Sequence, residues 1–270
     1  MGVPGGVCFR LLFAVQIPKV MINPKMNPME MAKNTSFFIC KTACEINLQV
    51  VYCQDMEVTY LGHSSFKIKG KNSTVVTDPY DVKVSRFPKD VEADVVVVSH
   101  EHYDHNAVGQ VGGKPFVING PGEYEVGGVS VIGVQAWHDD KFGAERGDNT
   151  VYVIELDGMR LAYLGDLGHK FSQEQLDDIG SIDVVFVPVG GTFTIDAKVA
   201  AEVVKQVDPW VVVPMHYASL TIDPSLNEKL APVSEFLKEM GKPEVVAVPK
   251  LVISADRMPT EMQVVVLDRK

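Results

Sequence analysis

Cysteine is absent from residues 56–270, because the four cysteines of this 270-residue chain all fall earlier, at Cys8, Cys40, Cys44 and Cys53. A chain whose main part lacks cysteine has no disulfide scaffold there, which favours a reducing, cytoplasmic location. The sequence also lacks any run of about 18–20 apolar residues, so no membrane span is expected. Its longest apolar runs, such as Val95–Val98, have the length of a single strand.

Positive charge is also scarce. The 25 Lys and Arg residues are outnumbered by 35 Asp and Glu residues, which gives a net charge of −10. An acidic chain without a clustered Lys/Arg run has no field that gathers phosphate backbones, so no general nucleic-acid binding is expected. A GxSxG nucleophile elbow is missing too, which disfavours hydrolysis by an activated serine.

The segment 1–55 lacks the regular hydrophobic period of a helix or strand, and four prolines interrupt it. The apolar stretch Leu11–Val15 is too short for a secretory signal, and a CxxxC pair alone is weak support for a metal site. We interpret residues 1–55 as an N-terminal extension that is loosely ordered or results from an early assigned start codon, with Met56 opening the domain 56–270. An extension that makes a homo-oligomer contact is the alternative.

Regular patterning begins at Met56 and predicts strands in the first half of the domain, then strands alternating with helices. The predicted strands are Met56–Leu61, Ser64–Lys69, Thr74–Thr77, Asp94–Ser99, Pro115–Ile118, Val129–Trp137, Thr150–Leu156, Met159–Leu164, Asp183–Val189, Trp210–Met215, Val245–Val248 and Gln263–Leu267. The predicted helices are Ser172–Asp178, a helix from an Asp196 N-cap to Val207, and Val233–Met240. This order is typical of an α/β (α+β) fold in which helices cover two sheets.

Histidines carry the strongest chemical signal. Ser99 is followed by His100, His102, Asp104 and His105 in the pattern HxHxDH, directly after a continuously apolar strand. Residues two apart in extended chain point the same way, so His100 and His102 can bind one ion while Asp104 and His105 suit a second. Imidazole and carboxylate are ligands for zinc, iron and manganese. Three further candidates, His138, Asp166 and His216, follow predicted strands.

This arrangement resembles the metallo-β-lactamase superfamily over residues 56–270. Within it, the segments Tyr60–Phe66, Thr77–Pro79 and Pro214–Tyr217 are similar to the branch that includes ascorbate-6-phosphate lactonases. The resemblance implies a four-layer αββα sandwich. It also implies that His100, His102 and His138 bind one metal, that Asp104, His105 and His216 bind another, and that Asp166 bridges the two.

Two divalent ions, zinc first and manganese or iron as alternatives, would activate a shared water to attack an ester, lactone or phosphoester of a small molecule. Asp104 and Asp166 would act catalytically by orienting that water. Nuclease or phosphodiesterase activity, promiscuous β-lactam hydrolysis and a non-catalytic metal-binding or regulatory role remain alternatives. Five further residues are candidates for supporting the ligands or contacting the substrate: His63, Asp78, Asp139, Arg146 and Tyr217.

Overall fold

The computed structural model describes residues 55–270, and the predicted extension with its four cysteines lies outside the described residues. Within the described range, thirteen strands form two mixed sheets. The first sheet has the order β12-β1-β2-β3-β4-β5. Its strands are β1 (Met56–Gly62), β2 (Ser65–Lys69), β3 (Thr74–Thr77), β4 (Glu92–Val97), β5 (Gly112–Ile118) and β12 (Leu251–Ile253).

The second sheet has seven strands in the order β13-β11-β10-β9-β8-β7-β6. They are β6 (Gly122–Val126), β7 (Val129–Trp137), β8 (Asp148–Leu156), β9 (Met159–Tyr163), β10 (Val184–Pro188), β11 (Val211–Met215) and β13 (Gln263–Val264). Strands β9, β10 and β11 run parallel, and β7 runs in the same direction because β8 is antiparallel to both of its neighbours.

The helices are α1 (Gln173–Ile179), α2 (Ala197–Val207), the single turn α3 (Pro224–Asn227) and α4 (Val233–Glu239). Helices α1, α2 and α4 lie on the side of the second sheet, whereas Leu226 of α3 packs against the outer face of the first sheet. A capping box between Ser172 and Gln175 starts α1, and the Asp196 side chain caps α2. Helix α1 contacts β7, while α2 contacts β10 and α4.

The two sheets enclose the main hydrophobic core. Side chains alternate along a strand, so Val95 and Val97 of β4 point into this core while Val96 and Val98 face outward. The outward-facing residues pack against Tyr80 and Phe87 of the β3–β4 connection and against Leu230, so loops and short turns form the outer layer of the first sheet. The expected α/β sandwich with two central sheets is confirmed.

Several predicted elements differ from the structure. Val245–Val248 is not a strand: only Val248 forms a single bridge, with Leu267. The pattern missed β6 and β12, and it also missed the 3₁₀ turn Val108–Gln110 and α3. Strand β6 is largely exposed and so has no hydrophobic period to reveal it. Among the described helices, none is long and apolar enough to cross a membrane.

Candidate metal centre

The polar residues of the candidate centre follow the carboxyl ends of strands. Asp78 comes directly after β3, His138 directly after β7 and His216 directly after β11, while Asp166 follows β9 by three residues and His100 follows β4 by the same interval. Ligand sites in sheets with parallel strands form outside these carboxyl ends, where loops begin. The two sheets therefore bring side chains from five separate segments to one edge of the sandwich.

The Asp166 carboxylate lies at the middle of this group and is 2% exposed. Its Oδ2 atom is 3.3 Å from His105 Nε2, 3.3 Å from His138 Nε2 and 3.2 Å from His216 Nε2. Two atoms that bind one ion at about 2.0–2.2 Å lie roughly 3.0–3.5 Å apart. The spacing around Asp166 thus matches that of atoms sharing metal ions.

Potential ligand atoms form three groups, and within each the ligand atoms lie within 4.8 Å of one another. Two of them meet at Asp166: the first comprises His100, His102 and His138, and the second comprises His63, Asp104, His105 and His216. The third group, Asp78 with His100 and His105, lies behind them. His138 belongs to the first group, whereas His105 and His216 belong to the second. Asp166 Oδ2 therefore contacts members of both groups.

A buried carboxylate behind the centre, Asp78, orients two of the imidazoles. Its Oδ2 atom accepts hydrogen bonds from His105 Nδ1 at 2.7 Å, from Tyr163 Oη at 2.7 Å and from Ser99 Oγ at 2.5 Å. The Ser99 hydroxyl lies 2.9 Å from His100 Nδ1 and, having donated to Asp78, can accept from that nitrogen. Both imidazoles then carry their proton on Nδ1, which leaves the Nε2 lone pairs free for a metal.

Unpartnered atoms in the centre fit this assignment. His100 Nε2, His105 Nε2 and Asp166 Oδ1 are buried side-chain atoms without a hydrogen-bond partner. Such atoms are costly unless something satisfies them. Borderline N and O ligands gathered around a shared carboxylate suit divalent zinc, manganese or iron, so the residues present fit the metal that the sequence predicts.

Burial and neighbouring charges set the protonation of the centre. Burial, reinforced by His105, lowers the pKa of His100 to about 2, and burial together with His216 lowers that of His63 to about 4. Both rings are therefore neutral at neutral pH and can bind a metal. Although burial opposes it, the neighbouring His105 and His216 and the hydrogen bonds from His105 and His138 hold the pKa of Asp166 well below its usual range. A bound cation would likewise favour the ionised form of the Asp166 carboxylate.

Two of the histidines are held by an uncommon backbone. His63 and His216 have φ values of 54° and 53°, in the left-handed region that non-glycine residues rarely adopt. Strained residues persist where the surrounding structure fixes them, and they cluster at functional sites. Here the His216 backbone N–H donates to the His63 carbonyl at 2.9 Å, which fixes the two turns to each other.

A cavity of about 400 Å³ opens over the centre. Its metal-side wall is formed by His102, Asp104, His138 and Asp166, and its outer walls are formed by Tyr103, Glu145, Arg146, Phe193 and Leu226. It thus combines potential metal ligands with apolar surface and one guanidinium, which is the composition of a small-molecule site.

Arg146 reaches this cavity from a loop that Asp139 holds in place. The Asp139 carboxylate accepts hydrogen bonds from the backbone N–H groups of Lys141, Gly143, Glu145 and Arg146, at 2.8–2.9 Å. Arg146 Nη2 donates to the Thr192 carbonyl at 2.8 Å. Among the described residues, no carboxylate oxygen lies within 4.0 Å of its guanidinium.

Some sequence-predicted residues take other positions. Asp139 makes no hydrogen bond to a ligand imidazole, because all of its partners are backbone groups of its own loop. Tyr217 does not line the cavity; it is 7% exposed and packs in the core, stacked on Tyr60 at 6.2 Å. The left-handed turn at His216 directs the Tyr217 side chain away from the cavity. His63 and Asp78 both lie against the ligands, as described above.

Sequence reasoning missed three supporting residues: Ser99, Tyr163 and Asn149. The Asn149 amide accepts a hydrogen bond from the Asp166 backbone N–H at 3.0 Å and donates to the Leu164 carbonyl at 3.0 Å, which fixes the turn carrying Asp166. A polar residue at the start of an apolar strand, as Asn149 is in β8, was a usable signal. The roles of Ser99 and Tyr163 depend on contacts between distant segments.

Comparison with known proteins agrees with this geometry. The family model described as "Beta-lactamase superfamily domain" matches residues 57–216. A UPF0173 metal-dependent hydrolase from Thermococcus onnurineus is 32% identical over 206 residues, which cover 65% of this chain and 92% of that protein.

Solved structures with the same fold are also similar. A Thermotoga maritima protein, provisionally described as a Zn-dependent hydrolase of the metallo-β-lactamase superfamily, is 38% identical with a TM-score of 0.65 and covers 80% of this chain and all of its own. The diiron β-hydroxylase CmlA from Streptomyces venezuelae is 13% identical with a TM-score of 0.51; the match covers 74% of this chain and 54% of CmlA, and shows likeness of fold alone.

Proposed function

This chain belongs to the metallo-β-lactamase superfamily and is a metal-dependent hydrolase, and from that premise we propose that it hydrolyses an ester, lactone or phosphoester of a small anionic molecule at a two-metal centre. The observation that carries the proposal is the position of Asp166 Oδ2, within 3.3 Å of histidines from two separate ligand groups. A single metal site needs no carboxylate shared in this way.

The ligand assignment follows the two groups. His100, His102 and His138 would hold one ion, and Asp104, His105 and His216 would hold the other, with Asp166 between them. Zinc is the preferred metal because the T. maritima relative is described as zinc-dependent. A shared fold does not fix the chemistry, since CmlA is described as a diiron β-hydroxylase. Position 102 is His and not Glu, a departure from the flavodiiron branch that favours hydrolysis over redox chemistry.

Two bound divalent ions would lower the pKa of a shared water towards neutrality and polarise the electrophilic oxygen of the substrate. The chain's own residues then orient the reactants. The Asp104 carboxylate lines the cavity and can accept a hydrogen bond from the attacking water, which aligns that water with the substrate. Asp166 keeps the two ligand groups at a fixed separation, held by the Asn149 amide behind it.

The outer walls of the cavity support an anionic substrate with an apolar part. Arg146 supplies a guanidinium with no carboxylate partner within the described part of the chain, and Phe193 and Leu226 supply apolar surface. Lys83 lies over the Tyr103 ring at 5.6 Å and Lys229 over the Phe193 ring at 5.9 Å, so cations flank two of the lining aromatic residues. A polymeric nucleic acid fits poorly, because the chain as a whole carries a net charge of −10.

The test begins with the metal content of protein purified without added metal. We expect two ions per chain, with turnover that chelation abolishes and zinc restores. The substrate panel contains lactones, p-nitrophenyl esters, phosphodiesters, β-lactams and RNA, and each ester is offered with and without a carboxylate. One ion per chain, or turnover that survives chelation, would contradict the two-metal proposal. Tight metal binding without turnover would favour a regulatory protein, and cleavage of RNA would favour a nuclease.

The same panel tests the anionic substrate. Arg146→Gln should raise KM for the carboxylated ester by about tenfold, because a charge-assisted hydrogen bond contributes roughly 1.5–3 kcal/mol, and should leave the neutral ester unchanged. Arg257→Gln is the matched control, since Arg257 is exposed and pairs with Asp55 and Ser254 away from the cavity. Equal effects of the two variants would exclude a specific role for Arg146. Location in the cytoplasm and formation of a homo-oligomer stay predictions from the sequence.

A further inference from the structure

We propose that His63 is a direct protein ligand of the metal held by Asp104, His105 and His216, and that this extra imidazole makes the two metal sites unequal. The inference rests on the proposed two-metal centre and adds a ligand from outside the HxHxDH pattern. His63 comes from the turn between β1 and β2, at the far end of the sequence from His216.

The position of the ring carries the proposal. His63 Nε2 lies 3.2 Å from Asp104 Oδ2, the same separation that relates His216 Nε2 to Asp166 Oδ2. Its ligand atom lies within 4.8 Å of those of the three other residues in its group. The ring centroid is 4.4 Å from that of His216 and 5.2 Å from that of His105. The His63 ring therefore lies beside the other potential metal ligands and not behind them.

The fold holds His63 there by two backbone contacts. Its carbonyl accepts hydrogen bonds from the His216 backbone N–H at 2.9 Å and from Tyr60 Oη at 2.8 Å. The residue is 2% exposed and keeps a left-handed backbone, which an imidazole in an ordinary turn has no need to adopt. Among the histidines in the described part of the chain, only His63 and His216 have a positive φ.

The competing role is that of a positioning residue that donates Nε2–H to Asp104. In that case His63 would resemble the supporting carboxylate Asp78, which contacts imidazoles through their outer Nδ1 atoms. Instead it repeats the pattern of His138 and His216: Nε2 lies beside a carboxylate of the cluster, and Nδ1 is buried without a partner. This shared pattern favours direct coordination.

Unequal sites follow from the added ligand. His63, His105 and His216 are each no more than 2% exposed and do not line the cavity, so only Asp104 of this group faces it and the ion they share would be the more enclosed of the two. In the other group, His102 is exposed and both His102 and His138 line the cavity. A site with fewer protein ligands that opens to the cavity keeps a position for substrate, whereas a closed site is structural in character.

The experiment counts metal-bound imidazoles directly. We would load the full chain, labelled with ¹⁵N-histidine, with cobalt(II) and count the imidazoles whose ring N–H resonances are displaced by the through-bond contact shift that only metal-bound rings show. Six are expected in the wild type if His63 coordinates, and five if it only donates to Asp104. In His63→Asn, a residue that tolerates the left-handed turn, one displaced resonance should be lost while the others remain. His169→Gln is the control, since His169 bonds to the Trp137 backbone outside the cluster.

Loss of affinity alone does not separate the two roles, because removal of a supporting residue also weakens metal binding by about 10- to 100-fold. Chelator kinetics supply a second readout: the wild type should release its two ions in two phases, and His63→Asn should speed the slow phase at least tenfold. Five resonances in the wild type with two cobalt ions bound would overturn the inference while leaving the two-metal proposal intact. Fewer than two bound cobalt ions would overturn the two-metal proposal itself. If His63→Asn binds only one ion, the wild-type count decides.

Discussion

Asp78 links two potential ligands of different metals through one buried carboxylate. It contacts His105 directly and reaches His100 through the Ser99 hydroxyl, and Ser99 also donates its backbone N–H to Asp78 Oδ1 at 2.7 Å. Its side chain is 0% exposed, so no water is available to replace a lost partner. The orientation of two imidazoles therefore depends on a residue outside both proposed ligand sets.

Asp78→Asn tests this dependence. The amide presents N–H groups where three donors now meet a carboxylate, so at least one of His105, Tyr163 or Ser99 must turn away. We expect metal affinity to fall by about 10- to 100-fold, as measured by competition with a chromophoric chelator. Asp94→Asn is the control, because Asp94 accepts a backbone hydrogen bond from Thr74 far from the centre. Unchanged affinity in Asp78→Asn would contradict the proposed role.

The elements of the site were more readily predicted than its supporting contacts. HxHxDH after a buried strand is local in sequence, and His138, Asp166 and His216 each follow a strand whose apolar pattern is clear. The contact between His63 and Asp104 has no such local signal, because it requires the β1–β2 turn to meet the loop after β4. The strand predicted over Val245–Val248 was wrong for a related reason: a segment with strand propensity does not form a strand when no neighbouring strand pairs with it.

The close approach of β10 and β11 at their carboxyl ends depends on Gly190. A Cβ atom at this position would lie 2.1 Å from the His216 carbonyl oxygen, a backbone atom that cannot move without displacing the His216 side chain. The Gly190 carbonyl in turn accepts a hydrogen bond from the Ala231 N–H at 2.8 Å, so the strand end is held from both sides. The methyl group of an alanine at position 190 would therefore have no free space to occupy.

Gly190→Ala should therefore disturb the centre through the backbone. We expect the free energy of unfolding to fall by about 1–3 kcal/mol, as for overpacked interiors, and one of the two ions to bind more weakly. Chemical denaturation and metal titration measure the two effects. Gly109→Ala is the matched control, since a Cβ there meets no atom within 4 Å. Similar losses in both variants would show that steric conflict at His216 is not the cause.

At the scale of the whole molecule, the segment after β13 ties the two sheets together. Strand β13 pairs with β11 in the second sheet, and five residues later Arg269 forms a bridge with Tyr60 in the first. The Arg269 guanidinium donates to five acceptors: the carbonyls of Leu61, Arg86 and Thr221 and the hydroxyls of Ser85 and Tyr80. A guanidinium has five N–H donors, so all of them are used.

Arg269→Met keeps much of the side-chain volume and removes all five donors. Its acceptors belong to the end of β1, the β3–β4 connection and the loop after β11, so we expect these segments to loosen together. The melting temperature should fall by several degrees, corresponding to about 1–3 kcal/mol, because carbonyl groups in a partly buried position lose a charged partner. Arg257→Met is the control, since Arg257 is exposed and its partners, Asp55 and Ser254, lie outside these segments. The Leu61 carbonyl lies two residues before His63. Hydrogen exchange of the amides in the β1–β2 turn should therefore be faster in Arg269→Met than in the wild type, even with metal bound. Equal protection in the two proteins would mean that the metal centre alone holds the turn.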